Sequence, residues 1–141
     1  MMGVPGIHDV DPEDHERAWK IMRQLRPALE KAAFEAQLAE QPDYRLVGSY
    51  TPQLSGVIGI RLIEPQDSPR IVQVEDLVVA ETFRGQGIGR ALMSYAEAEA
   101  RRMRCPRLNV ECGEAGLPFC QALGYRVHEN GVQASKILNA D

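Results

Sequence analysis

The chain has 141 residues, 44% apolar and 26% charged, with a formal net charge of −4. That is the balance of a globular protein of about one domain, able to bury roughly two-thirds of its unfolded surface without disulfides or metal. A mainly disordered chain is excluded, and the acidic sign argues against nonspecific nucleic-acid binding, which needs a basic footprint.

Ile7–Val10 reads as a short first strand. Asp11-Pro12-Glu13-Asp14 marks a helix start, with Asp11 as N-cap, Pro12 at the first helical position and acids in the first turn. Ala18, Ile21, Met22 and Leu25 follow at helical spacing. Pro27 interrupts, and a second helix is predicted from Ala28 to Glu40 with Leu29, Ala32, Ala33, Ala36 and Leu38 inward. The pattern then turns to strands, Tyr44–Tyr50 and Val57–Ile63, joined by the hairpin connection Thr51–Gly56. Turn-rich Glu64–Pro69 leads into Ile71–Ala80, whose apolar run Leu77-Val78-Val79 predicts a central buried strand.

A strong helix follows, with Ile88, Ala91, Leu92, Tyr95 and Ala96 on one stripe. Arg101, Arg102 and Arg104 crowd its end, where positive charge suits the helix dipole, and Pro106 prevents continuation. Arg107–Cys112 reads as a strand and Ala115–Leu123 as a short helix closed by Gly124. Tyr125–Glu129 and Val132–Ile137 flank Asn130-Gly131, a hairpin signal. The order predicts one α/β domain over residues 1–141 with a mixed sheet.

The informative segment is Arg84-Gly85-Gln86-Gly87-Ile88-Gly89, between a buried strand and a helix. Glycine lets the backbone turn tightly and approach a ligand, and a helix N-terminus offers unpaired N–H donors with partial positive charge. Together they suit a phosphate. A Walker loop would continue Gly-Lys-Ser/Thr, whereas Gly89 is followed by Arg90-Ala91. A dinucleotide fingerprint starting at Gly85 would need its third glycine at Arg90.

The spacing Arg84-x-x-Gly87-x-Gly89, preceded by Glu75-Asp76-Leu77-Val78-Val79, resembles the pyrophosphate motif of the GNAT acetyltransferase superfamily. Leu108–Glu111 and the segment from Phe119 to Gly124-Tyr125 resemble its C-terminal motif. The resemblance implies a mixed, mostly antiparallel sheet of about six or seven strands, splayed in the middle, with about four helices on its faces. It implies acetyl-CoA as cosubstrate: backbone N–H groups of Gly85, Gln86, Gly87, Ile88, Gly89 and Arg90 on the pyrophosphate, and the main chain of Leu77, Val78 and Val79 pairing with the pantetheine arm like an added strand. A Cβ is expected to clash at Gly87 and Gly89. The activity implied is direct acetyl transfer to an amine, with the oxyanion held by a backbone N–H near Leu77–Val79. A small-molecule acceptor and a homodimer are expected. The alternatives are a protein or peptide acceptor and a noncatalytic acyl-CoA-binding module.

Cys120 stands where the family's general-acid tyrosine would be. A thiolate leaving group of pKa about 8.5 needs only modest proton assistance, so water suffices and Cys120 is expected to pack rather than to act as the acid. The acceptor does need a base, because an amine of pKa about 10.4 is only about one part in a thousand neutral at about pH 7.4. Glu75 is the first candidate, with Asp76 expected on the opposite face by strand alternation, and Glu111 third. Trp19 is expected to pack or to line the acceptor pocket.

Cys105, Cys112 and Cys120 show no Cys-x-x-Cys spacing, so no metal site is expected, and reduced thiols suggest a cytoplasmic setting. His8, His15 and His128 lie far apart and read as surface or packing residues. Met1–Asp14 lacks the basic-then-apolar order of a secretory signal, and no apolar run approaches the ~18 residues of a membrane span.

Overall fold

The computed structural model describes residues 6–129 and 131–138. Met1–Pro5, part of the stretch read for a secretory signal, and Asn130 of the Asn-Gly turn lie outside them. Strand β1 (Ile7–Asp9) leads through a single 3-10 turn at Pro12–Asp14 into α1 (His15–Met22), then α2 (Lys31–Glu40). Strands β2 (Tyr44–Tyr50), β3 (Leu54–Ile63) and β4 (Ile71–Val79) follow, then α3 (Ile88–Arg102), β5 (Arg107–Glu111), α4 (Gly113–Ala122), β6 (Arg126–Val127) and β7 (Gln133–Ile137). The strands form one sheet ordered β1-β2-β3-β4-β5-β7-β6. Only β4 and β5 are parallel; every other neighbouring pair is antiparallel.

Two apolar clusters sandwich the sheet. One lies under α3 and α4, around Ile58, Val72, Val74, Leu92, Met93 and Leu108. The other lies under α1 and α2, around Ala18, Met22, Phe34, Leu46, Val57 and Val78. The second helix begins at Lys31 rather than Ala28, and Phe34, not the expected alanines, is its buried anchor. Ala32 and Ala33 are exposed, while Leu29 and Leu38 pack at the cluster's margin. A bulky aromatic fills the gap to the sheet where alanine is too short to reach. Asp11 makes no side-chain cap; its N–H donates instead to the Tyr50 hydroxyl at 3.1 Å.

The informative irregularity is in β4. Gly59 of β3 faces Asp76, and Ile60 faces Val74, so Glu75 is an extra residue with no partner on β3. A bulge of this kind reverses the parity of the strand beyond it. Val72 and Val74 belong to the α3 cluster, yet Val78 belongs to the α1–α2 cluster, and Leu77 and Val79 turn toward α3. The expectation that Glu75 and Asp76 point to opposite faces is therefore corrected. They meet two side chains that lie against each other, Arg61 and Tyr44. Arg61 donates to both Glu75 oxygens, at 2.8 and 3.1 Å, and its guanidinium lies 5.3 Å above the Tyr44 ring. The Tyr44 hydroxyl donates to Asp76 at 2.8 Å.

Tyr44 reaches Asp76 by crossing over Gly59, where a Cβ would coincide with the Tyr44 hydroxyl and press on the Asp76 carboxylate at 2.9 Å. Gly59→Ala should displace the tyrosine and leave a buried carboxylate short of a donor. The expected loss is about 1–3 kcal/mol of unfolding free energy, read as a lower denaturant midpoint with an unchanged m-value. A midpoint equal to the parent's would mean that the Tyr44–Asp76 bond contributes nothing to the fold.

Candidate active site

The glycine-rich loop is held open by backbone conformation. Gly85 and Gly87 have φ of +80° and +83°, the left-handed region that glycine enters freely. The first bond within α3 runs from the Ala91 N–H to the Gly87 carbonyl at 3.0 Å. The N–H groups of Ile88, Gly89 and Arg90 therefore have no acceptor inside the helix and point out of its end. A Cβ built at Gly87 would meet nothing within 4 Å, so the expected clash there is not with the protein; the constraint is the positive φ and the open space in front of the loop. At Gly89 a Cβ would stand 3.4 Å from the Phe119 ring. The Ile88 side chain is buried in the core and anchors the loop from below.

Beside the loop, β4 presents a free edge. Parallel pairing with β5 runs only from Ile71–Val74 against Arg107–Val110. The Ala80 N–H donates to Ser55 on the β3 side at 2.7 Å, so by alternation Leu77 and Val79 direct their amides and carbonyls away from β3. Between the parted strands lies a cavity of about 460 Å³. Leu77, Val78, Val79, Arg84 and Gly89 line one wall; Val110, Glu111, Cys112, Ala115, Gly116, Phe119 and Cys120 line the other; Gln24 and Leu25 close the rim.

Of the residues predicted from sequence, Leu77, Val78, Val79, Arg84, Gly89 and Cys120 meet in this slot. Gly85, Gln86, Gly87 and Arg90 lie exposed around the helix end beside it. Glu75 and Asp76 do not line it; they sit behind it on the α1–α2 face. Arg84 Nε donates to the Val79 carbonyl at 3.1 Å. Glu111 lines the slot and accepts a bond from Gln73 at 3.2 Å. Trp19 packs beside the α1–α2 cluster, donating from Nε1 to the Leu29 carbonyl at 2.9 Å, and is not a lining residue.

Sequence reasoning missed three residues. Gln24 uses its side-chain amide as a peptide group would be used in a strand: Oε1 accepts from the Glu81 N–H at 2.9 Å and Nε2 lies 3.4 Å from the Val79 carbonyl. Leu25, expected in the core stripe, is 51% exposed at the slot's rim, because α1 ends at Met22. Cys112 lies against Cys120, their Sγ atoms 2.8 Å apart. No local pattern announces any of these roles.

Charge is concentrated behind the strand. Asp76 is buried, with Tyr44 on one oxygen and Arg26, 3.2 Å away, on the other. Burial raises its pKa, while the Tyr44 hydrogen bond and Arg26 oppose the rise. Tyr44 is itself pushed far up, by burial first and by the adjacent carboxylate second, so its proton stays on the hydroxyl. Cys120 is also raised, by burial first and by its bond with Cys112 second. The described residues hold no cluster of His, Cys, Asp and Glu arranged to bind a metal.

Residues 10–125 match the acetyltransferase (GNAT) family. The chain belongs to the GNAT acetyltransferase family. A curated relative, glucosamine 6-phosphate N-acetyltransferase of Trypanosoma brucei brucei, is 32% identical over 92 residues, which is 63% of this chain and 56% of that protein. N-alpha-acetyltransferase 80 of Mus musculus is 41% identical over 69 residues, 49% of this chain and 22% of that protein. The chain thus matches about half or less of the length of these curated relatives. Among solved structures, Arabidopsis thaliana NAA60 in complex with a bisubstrate analogue superimposes with a TM-score of 0.77 at 17% identity, covering 96% of this chain and 98% of that one.

This GNAT chain suits acetyl-CoA, the family's acetyl donor, at two places. The open loop with its outward N–H groups suits a pyrophosphate. The open edge of β4 offers the peptide groups of Leu77 and the N–H of Val79 to an amide-bearing arm, while the Val79 carbonyl is met by Arg84 and Gln24. Coenzyme A at ~100 times its Kd should add about 2.7 kcal/mol of stability, read as a raised Tm that NADH and ATP do not match. Gly87→Val should abolish the shift with little change in far-UV circular dichroism, since a β-branched residue resists φ of +83° and fills the opening. Undiminished coenzyme A binding by that variant would place the pyrophosphate elsewhere.

Proposed function

We propose that the protein transfers the acetyl group of acetyl-CoA to the amine of a small molecule. The observation that carries this reading is the continuity of the free β4 edge at Leu77 and Val79 with the glycine loop at the start of α3. One face of the slot thereby presents peptide groups for the arm, and its end presents N–H donors for the phosphates. The glucosamine 6-phosphate relative supports a small acceptor. The relative named N-alpha-acetyltransferase 80 supports the alternative of a peptide acceptor. A free-thiol assay with acetyl-CoA over amino sugars, polyamines, amino acids and N-terminal peptides separates the two. Coenzyme A binding without thiol release on any of them would favour the noncatalytic module. A cytoplasmic homodimer completes the proposal; the free thiols support the location, and analogy alone supports the dimer.

For the base, the geometry supports Asp76 over the sequence-favoured Glu75. Both Glu75 oxygens already accept from one guanidinium, a paired geometry that commits the carboxylate to Arg61. Burial raises the Asp76 pKa, and the residue adjoins slot-lining Leu77. Its outer partner, Arg26, follows directly on the rim residues Gln24 and Leu25 and is 42% exposed, free to yield to a ligand. Glu75 then serves to hold Arg61 against Tyr44, which positions Asp76. For the leaving thiolate, a proton from Cys120 would move uphill, because that thiol is raised above the ordinary value of about 8.5. The thiolate, with a pKa of about 8.5, can leave unprotonated and take its proton from bulk solvent afterwards.

Asp76→Asn should lower kcat/KM by about 10²-fold at neutral pH and flatten the acidic limb of the pH–rate profile, whereas Glu75→Gln should keep that limb. The same group has a stability signature. Its native pKa is raised above 3.8, so the folded state binds the proton more tightly than the unfolded state. The Asp76 contribution is then most favourable below that value and declines as pH rises through the native pKa. Subtracting the Asp76→Asn unfolding free energy from the parent's, over about pH 3 to 7, should show this fall; a difference that grows with pH would refute the raised pKa. Cys120→Ala should leave kcat within about 3-fold and cost stability instead. A 10²-fold fall with intact fold and coenzyme A affinity would make the thiol the acid.

A further inference from the structure

The slot wall holds two thiols in contact. Cys112 follows β5 and Cys120 lies on α4, with Sγ atoms 2.8 Å apart, and both line the slot. Gly113, at φ of +66°, turns the chain from the end of β5 directly into α4 and so brings the two together. Cys112 is half-buried, whereas Cys120 is only 3% exposed, so solutes in the slot reach Cys112 first. Cys105, the third cysteine, is buried near the opposite end of β5 with its sulfur toward the Met103 carbonyl.

We propose that Cys112 and Cys120 form a redox-sensitive modification site, which a hydroperoxide converts to an intramolecular disulfide in the slot wall, and that the disulfide form binds acetyl-CoA more weakly. The Cys112 thiolate attacks one peroxide oxygen, breaking the O–O bond, to give a sulfenic acid and hydroxide. The Cys120 sulfur then attacks the sulfenic sulfur, forming the S–S bond and expelling hydroxide, which leaves as water with the Cys120 proton. In net terms, two thiols and one hydrogen peroxide give one disulfide and two waters. Closing the bond needs a sulfur movement of under about 1 Å from the present separation. The disulfide would tie the end of β5 to α4 and fix the width of the slot that these elements flank. Ligand in the slot covers Cys112, so acetyl-CoA should slow the oxidation; separately, a slot whose width is fixed by the disulfide cannot adjust around the ligand, so the disulfide form should bind acetyl-CoA more weakly. The bond-forming chemistry rests on the thiol pair alone, while the effect on affinity rests on the acetyl-CoA reading of the slot.

The test treats the full chain with hydrogen peroxide, with and without acetyl-CoA, followed by thiol titration and intact mass under denaturing conditions. The expected product has lost two of its three titratable thiols and the mass of two hydrogens, and dithiothreitol restores both. Cys112→Ser and Cys120→Ser should each prevent the loss of two hydrogens, while Cys105→Ser should not. Acetyl-CoA should slow the reaction, and its affinity should be about tenfold weaker for the oxidised form. Retention of all three thiols, oxygen addition without hydrogen loss, or an unchanged product in Cys112→Ser would overturn the disulfide. Equal acetyl-CoA affinity of the two forms would overturn its regulatory effect. Reduced protein that fails to bind acetyl-CoA, yet still forms the disulfide, would instead overturn the acetyl-CoA reading.

Discussion

Strands β4 and β5 stay bonded only through Val74 and Val110, and the remainder of the molecule is arranged around that interruption. A strand inside a sheet normally satisfies its peptide groups on both sides, and a half-buried edge left open is costly unless something pairs with it. Here β3 holds one side of β4 along its length, while Leu77 and Val79 face a slot. Gln24 and Arg84 meet the Val79 carbonyl at its far end. The edge is thus preserved as a binding surface, and the supporting layers are spared the work of closing it.

Keeping the strands apart calls for rigidity behind β4, and the polar cluster on the α1–α2 face supplies it. The bulge at Glu75 puts two carboxylates on one face, where Arg26 and Arg61 balance them and Tyr44 satisfies the deeper one. Removing one member of such a buried group is far worse than its net worth suggests, because its partner is left charged and unpaired. The cluster spans β2, β3, β4 and the connection after α1, so it ties together the elements that meet behind the slot.

The opposite wall is softer. Its helix, α4, contains Pro118 and two glycines and presents Ala115, Gly116, Phe119 and the Cys120 thiol to the slot, with the Cys112 thiol just before it. Where a family tyrosine would bring a hydroxyl, this chain has a sulfur whose proton is held more tightly than usual. Proton donation and cofactor binding are thereby separated: the backbone of β4 and α3 suits the cofactor, and the thiol wall suits a covalent response to oxidants.

The order of elements, the glycine loop and the family were all legible in the chain itself, because each is written within a few consecutive residues. Apolar spacing distinguishes helix from strand, and the three glycines entering α3 have their effect through local backbone torsion. Strand alternation failed at Glu75 because a bulge depends on the register of a partner strand, and here Gly59 of that strand faces Asp76 and leaves room for Tyr44. Only the tertiary structure placed Asp76 beside Tyr44, Gln24 at the end of β4 and Cys112 against Cys120. The first two of these join segments more than thirty residues apart, and the third depends on how Gly113 turns the chain. Contacts of that kind are decided by packing and by the satisfaction of buried polar groups, neither of which leaves a periodic trace along the sequence.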